Sequence, residues 1–127
     1  MLEKQQKPIF LNLFQIAMPV TAIASILHRL SGLLLALFLP VFIYGFYLST
    51  QGKAQFDQLM VYFENPGFKI LLIILIWTIS HHILAGIRYL LIDIELGVSL
   101  PAARLSAWIA NIAAVIVTVL IALRLLS

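Results

Sequence analysis

The chain has 127 residues, of which 63% are hydrophobic and 10% are charged, and its formal net charge is +3. Soluble domains usually contain about 25% charged residues, so this composition excludes an ordinary soluble domain. The chain has no cysteine, which excludes disulfides and iron–sulfur ligation by its own residues. Its basic residues form no patch interleaved with aromatic side chains, and we therefore expect contact with a lipid bilayer and with no nucleic acid.

Three segments contain no Asp, Glu, Lys or Arg, and they cover residues 30–52, 70–87 and 105–123. A helix that rises about 1.5 Å per residue needs about 20 apolar residues to cross a bilayer. Together with the flanking turn and capping residues, among them Thr21, these segments predict helices over about 21–48, 68–92 and 102–126. The sequence therefore predicts an all-α membrane protein with three transmembrane helices, forming a single membrane domain over residues 1–127.

The segments outside these helices bear on topology. Residues 7–19 mix aromatic and polar side chains between prolines, which predicts a short N-terminal segment at the membrane interface. Residues 49–67 are predicted to form a short loop outside the membrane that contains one amphipathic turn. Basic residues are more numerous on the side of the N-terminus, so the positive-inside rule predicts that the N-terminus is cytoplasmic. Those on the N-terminal side are Lys4, Lys7, Arg29, Arg88 and Arg104, and those on the other side are Lys53, Lys69 and Arg124.

A polar cluster lies near the start of the first predicted helix. Ser25 is three residues from His28 and four from Arg29, so the three side chains leave one arc of the helix. A charge within a membrane helix costs about 2.5–3.5 kcal/mol, so a function is expected to offset it. A hydroxyl beside a guanidinium can bind a ligand that carries carbonyl or anionic oxygens. Alternatively, Arg29 extends to lipid headgroups and the serine only permits close packing between helices.

A second cluster lies near the end of the second predicted helix. His82, Ala85, Gly86 and Tyr89 share one stripe, whereas His81 points about 100° away. The small residues after His82 predict a groove for a flat macrocycle, and histidine is an axial ligand of haem iron in many proteins. Alternatively, His82 forms a hydrogen bond with a neighbouring helix or lines a proton path.

Antiparallel packing of the first two helices brings both clusters to the same membrane face. We expect their polar inward faces to leave a space that ligands occupy. A second imidazole would have to approach a haem iron from the opposite side, and His81 cannot do so from the position next to His82. His28 fits better in the first cluster, so a second imidazole is expected from another chain. No catalytic triad, phosphate-binding loop or carboxylate pair is present, so no catalytic residue and no complete active site is predicted in this chain.

Two motifs stand out along the chain. The first motif consists of Lys7-Pro8, Leu11, Leu13, Pro19, Thr21-Ala22-Ile23 and the run from Ser25 to Gly32. The second consists of the run from His82 to Arg88, followed by Asp93. Together they resemble the large cytochrome b membrane-anchor subunit of succinate dehydrogenase, and the similarity in length and in the order of the spans covers nearly the whole chain. The chain departs from the family pattern at Lys7, where arginine is usual, at Tyr89, where histidine is frequent, and at Ile92 and Glu95 around Asp93.

The resemblance implies a function and a set of site residues. Ser25 and Arg29 match the family's ubiquinone-binding residues, and His28 and Arg29 match positions near the haem propionates. His82 matches the axial ligand of haem b, whose other ligand in the family is a histidine of the small anchor subunit. The implied partners are that small subunit, a flavoprotein subunit and an iron–sulfur subunit, which together pass electrons from succinate to quinone. No transit peptide is recognisable, which favours a bacterial inner (plasma) membrane.

Two alternatives stay open on the sequence. An anchor subunit of a quinol:fumarate reductase runs the same chemistry in the opposite direction on a related architecture. A cofactor-free membrane scaffold or small transporter would be colourless when purified, and it would be expected to function without soluble redox partners.

Overall fold

The computed structural model describes residues 17–126, and its regular elements in that range are helices. In chain order they are α1 (Val20–Thr50), α2 (Lys53–Glu64), α3 (Pro66–Asp93) and α4 (Leu100–Leu126). Of these, α1, α3 and α4 are long and apolar enough to cross a membrane. The predicted all-α membrane fold with three transmembrane helices is therefore confirmed. The expected interfacial segment lies almost entirely at residues 7–16, outside the described residues.

The first helix begins at a proline rather than at a threonine cap. Pro19 occupies the cap position with extended backbone angles, and its carbonyl accepts from the amides of Ala22 and Ile23 at 2.9 and 3.2 Å. The prediction that Thr21 caps the helix is therefore wrong, because Thr21 already lies inside the first turn. The helix continues through Pro40 to Thr50, and at about 1.5 Å per residue it is longer than the hydrocarbon layer is thick.

The segment between the first two spans is a helix, so the prediction of a short loop is wrong for α2 (Lys53–Glu64). Its apolar residues recur at the spacing of one helix face, and this pattern extends beyond the single amphipathic turn expected from the sequence. The ring of Phe63 meets that of Phe68 edge to face, with centroids 5.2 Å apart. On the exposed side, Lys53 and Asp57 form an ion pair at 2.7 Å. This aromatic contact packs the end of α2 against the start of α3, and α2 packs against α1 as well.

Local hydrogen bonds define both ends of α3. The Asn65 side chain accepts from the amides of Gly67 and Phe68 at 2.8 and 3.2 Å, which caps the helix start. At the other end, the amide of Leu96 donates to the Leu91 carbonyl and that of Glu95 to the Ile92 carbonyl, both at 2.9 Å. This pair of bonds is a Schellman motif, with Glu95 at its left-handed position (φ 63°) where glycine is usual.

The three spans pack through small residues. The most buried side chains of α4 are Ala107, Ala110, Ala114 and Thr118, which recur every three or four residues. Buried hydroxyls donate hydrogen bonds to carbonyls of their own helix. Thr118 Oγ1, for example, donates to the Ala114 carbonyl at 2.7 Å. Because lipid is as apolar as the helix surfaces, close backbone approach at small residues is what holds membrane helices together. This packing sets the start of α1 beside the end of α3.

Candidate functional site

The site is built from two histidines, one on each of the antiparallel helices α1 and α3. His28 follows the start of α1 by eight residues, and His82 precedes the end of α3 by eleven. At about 1.5 Å per residue, both lie roughly 12–16 Å from the same end of the bundle. Their imidazole rings are stacked, with centroids 4.3 Å apart and planes 9° apart. The two sequence clusters therefore meet, as antiparallel packing predicts.

Two further residues of α1 contact the ring of His82 and position it. Ser31 Oγ lies 3.1 Å from His82 Nδ1 and donates its proton to the His28 carbonyl at 2.9 Å. Gly32 lies against the same ring, and a Cβ at this position would stand 3.1 Å from His82 Cε1. That distance is tighter than an ordinary van der Waals contact, so the missing Cβ lets the imidazole approach the helix backbone. Ser31 and Gly32 together fix the position of this ring.

The groove predicted at Ala85 and Gly86 is filled by the chain itself. Ala85 is fully buried, and a Cβ on Gly86 would lie 3.5 Å from His28 Nε2. The helices α1 and α3 are therefore in direct contact at this level, and the expectation that ligands occupy a space between their polar faces stays a prediction. The small residues permit close helix packing, which is their usual use in membranes.

The proposed quinone residues lie beside the stacked pair. Ser25 is half-buried, whereas the Arg29 side chain is exposed and turns away from the contact that His28 makes with α3. Ser25 and Arg29 are one turn apart on α1, so they border the same open side of the helix. The side chains of His28 and Arg29 therefore do not share one contact. His28 packs against α3, whereas Arg29 is exposed on the outside of this chain.

His81 belongs to a different contact from its neighbour. It is fully buried, lies 3.0 Å from Asn111 Oδ1 of α4 through Nε2, and stacks on Trp77 with centroids 5.3 Å apart. The sequence prediction that His81 points away from His82 agrees with this placement. Its Nδ1 is buried with no hydrogen-bond partner among residues 17–126.

Arg88 is a residue whose place the sequence did not predict. The sequence indicates only a topology charge at this position, yet only 6% of Arg88 is exposed, between α3 and α4. Its Nε donates to Ser106 Oγ at 3.0 Å, its Nη2 donates to the Ala103 carbonyl at 3.2 Å, and its guanidinium lies 5.0 Å from the Tyr89 ring centroid. Helix periodicity was the available signal, because Arg88 follows His81 by seven residues and shares its buried face.

Other sites within the described part of the chain do not compete with the histidine pair. No group of three or more His, Cys, Asp or Glu side chains in residues 17–126 could hold a metal ion. A cavity of about 550 Å³ lies among α1, α2 and α3 and is lined by aromatic residues such as Phe42 and Tyr62. It opens at the end of the bundle opposite to His28 and His82, so it is separate from them.

These features define a class: a multi-pass, all-α membrane protein with a stacked pair of histidines inside its spans. Over residues 3–122, the sequence matches the family described as "Succinate dehydrogenase/Fumarate reductase transmembrane subunit". The chain belongs to this family, and the resemblance to the cytochrome b membrane-anchor subunit of succinate dehydrogenase is confirmed. It is therefore a membrane subunit of an oxidoreductase.

Three relatives carry the name succinate dehydrogenase cytochrome b556 subunit. The chain is 32% identical over 116 residues to the one from Coxiella burnetii, covering 91% of this chain and 93% of that protein. It is 33% identical over 104 residues to the one from Rickettsia bellii, covering 80% and 79%. With the one from Rickettsia felis it shares 30% over 103 residues, again covering 80% and 79%. The similarity thus extends over most of each protein.

Proposed function

We propose that this chain binds haem b through His82 and borders a ubiquinone-reduction site with Ser25 and Arg29, as an anchor subunit of succinate:ubiquinone oxidoreductase. The observation that carries the proposal is the pair of stacked imidazoles of His28 and His82 inside two membrane spans. Ionisable side chains within a span are rare and usually mark a functional site. Relatives named as cytochrome b556 subunits support a haem in this chain as well.

The residues around His82 fit a haem ligand. Its Nδ1 is engaged by Ser31, whereas no partner for its Nε2 is recorded within residues 17–126. Histidines that bind a metal usually have their other ring nitrogen hydrogen-bonded, which fixes the ring orientation. Because Gly32 has no Cβ, the His82 ring packs closely against the backbone of α1. When bound, haem b would supply a one-electron carrier at this position.

His28 does not fit as the opposite axial ligand. The rings of His28 and His82 are stacked face to face at 4.3 Å, so their nitrogens would not hold one iron between them. On the family resemblance, we propose that a histidine of the small anchor subunit would be the second ligand. His28 and Arg29 are assigned to the haem propionates, where a ring N–H and a fixed positive charge can bind carboxylates.

Ser25 and Arg29 bind the quinone head group in this proposal. The Ser25 hydroxyl donates a hydrogen bond to one carbonyl oxygen of the quinone. The Arg29 guanidinium stabilises the negative charge that develops on this oxygen as electrons arrive. Arginine does not give up its proton, so the two protons needed to form the quinol come from the adjacent aqueous face. These residues bind and stabilise, and the complete active site includes other subunits.

The same proposal gives the chain its partners and orientation. Succinate is oxidised by a flavoprotein subunit, and electrons pass through an iron–sulfur subunit to the quinone beside the start of α1. We place the complex in a bacterial inner membrane with the N-terminus cytoplasmic. The basic residues near the starts of α1 and α4, among them Arg29 and Arg104, support this orientation.

The test is replacement of His82 in the assembled complex. In His82→Ala, we expect the bis-histidine haem spectrum to be lost while the complex still assembles, as measured by its flavin content. The matched control is His81→Gln, which changes the adjacent histidine and keeps an amide that can bond Asn111. A normal bis-histidine spectrum in His82→Ala would remove His82 from the haem site.

A further inference from the structure

We infer that Ser31 is a positioning residue for the haem ligand: its hydroxyl holds His82 in the tautomer that leaves Nε2 free for iron, and thereby lowers the haem potential. The inference rests on the proposed function of His82. Ser31 is fully buried between α1 and α3, so no water competes for its hydroxyl. The family resemblance assigns this serine no role.

The direction of the hydrogen bonds follows from the donor and acceptor inventory. A serine hydroxyl has one proton, and a carbonyl oxygen can only accept. Since Ser31 Oγ contacts the His28 carbonyl at 2.9 Å, its proton is used there. Towards His82 Nδ1, at 3.1 Å, the oxygen can then only accept. Nδ1 therefore carries the ring proton, and the lone pair for a metal lies on Nε2.

This relay also joins the two stacked histidines. A chain of hydrogen bonds runs from the ring of His82 through the Ser31 hydroxyl to the backbone of His28 on the neighbouring helix. A helix backbone is rigid, so the acceptor cannot easily turn away from the ring. His82 is thereby held by stacking on one face and by a hydrogen bond at its edge.

The hydrogen bond between Ser31 and His82 should shift the midpoint potential of a bound haem in one defined direction. A hydrogen bond donated by Nδ1–H increases the basicity of the ligating nitrogen, and a more basic ligand favours ferric over ferrous iron. The bond therefore lowers the haem midpoint potential. Removing the acceptor should raise the potential and let the ring rotate more freely about its side-chain bonds.

The experiment compares Ser31→Ala with wild type in the intact complex. We expect a bis-histidine haem to remain, with a higher midpoint potential, a broadened low-spin EPR signal and about tenfold weaker haem binding. Ser31→Cys is the second variant, because a thiol of nearly the same shape accepts hydrogen bonds poorly. It should change the potential in the same direction. Thr118→Val is the matched control, since it removes a buried hydroxyl bonded only to its own helix.

The outcomes separate this inference from the proposed function. If His82→Ala keeps its haem, the ligand assignment fails and Ser31 has no ligand to position. If His82→Ala loses its haem, while Ser31→Ala and Ser31→Cys both keep the wild-type potential, EPR signal and haem affinity, the role of Ser31 is overturned. An equal change in Thr118→Val would also overturn it, because the effect would then be general loosening of the bundle.

Discussion

The rings of His28 and His82 lie parallel at 4.3 Å, although they belong to different membrane-spanning helices. This contact makes the packing of α1 on α3 part of the candidate site. The two rings occupy the space between the helices at this level. The surroundings also distinguish the two histidines: His82 is held at Nδ1 by Ser31, whereas the other ring contact of His28 is with Tyr89, at a centroid distance of 5.2 Å.

Removing the His28 ring should weaken haem binding without abolishing it. An aromatic pair contributes about 0.5–1.5 kcal/mol, which corresponds to roughly 2- to 12-fold in affinity. We expect His28→Ala to lower haem affinity by at least this factor, because it also removes the N–H proposed to bind a propionate, and His28→Phe, which keeps a flat ring but lacks that N–H, to lie between alanine and wild type. The haem affinity is measured from the transfer of haem to an excess of a haem-free acceptor protein. Complete loss of the bis-histidine spectrum in an assembled His28→Ala complex would instead make His28 a ligand.

Replacing Arg29 or Ser25 should impair quinone reduction and leave succinate oxidation intact. We expect Arg29→Ala to lower kcat/KM for ubiquinone by about 100-fold, as loss of a charge-stabilising donor typically does. Ser25→Ala removes one neutral hydrogen bond and should cost about 5- to 10-fold. Reduction of a soluble dye by succinate serves as the internal control.

The matched variant for the quinone experiment is Arg104→Ala, which removes an exposed positive charge at the start of α4, at the same end of the bundle. It should keep the wild-type kcat/KM. An equal loss in Arg104→Ala and Arg29→Ala would point to general electrostatics of this membrane face rather than to a contact with quinone.

Arg88 should matter for stability through the geometry of its guanidinium. Lysine keeps the charge but cannot donate to Ser106 and the Ala103 carbonyl from a planar fork. With one charged hydrogen bond lost, Arg88→Lys should lower the free energy of unfolding by about 1.5–3 kcal/mol. Denaturation of the detergent-solubilised complex measures the difference. The exposed Arg104→Lys is the control, and equal stability of both variants would contradict the role of the buried contacts.

The end of α3 offers a stabilising substitution. Glu95 has φ 63°, a conformation that is unfavourable by about 1–2 kcal/mol for a residue with a Cβ and that glycine adopts freely. Glu95→Gly should therefore raise the free energy of unfolding by about 1 kcal/mol, which is measured as a higher thermal midpoint of the complex. Glu95→Ala removes the same carboxylate but keeps the Cβ. If alanine stabilises as much as glycine, the carboxylate is responsible and the backbone argument fails.

Hydrophobicity and helix periodicity predicted much of the fold. The absence of charges over three long segments indicated the spans, because a bilayer penalises unpaired charges and exposed backbone alike. The predicted spans differ from the observed helices by at most two residues at each end. Local propensity failed at Thr21 and at α2. Pro19 supplies a helix start by its backbone alone, and α2 packs against α1 and against Phe68 of α3, contacts between elements that the pattern along the chain does not show.

The sequence by itself determined that the protein is a bundle of membrane helices and that His28 and His82 lie near the same end. These features depend on composition and spacing along a helix, which are local. Only the tertiary structure decided that the rings stack, that Ser31 bonds His82 and that Arg88 is buried against α4. These contacts join residues of different helices, and they depend on how each helix is rotated about its axis. Small residues set that rotation by the closeness of backbone approach, which a pattern along one chain does not specify.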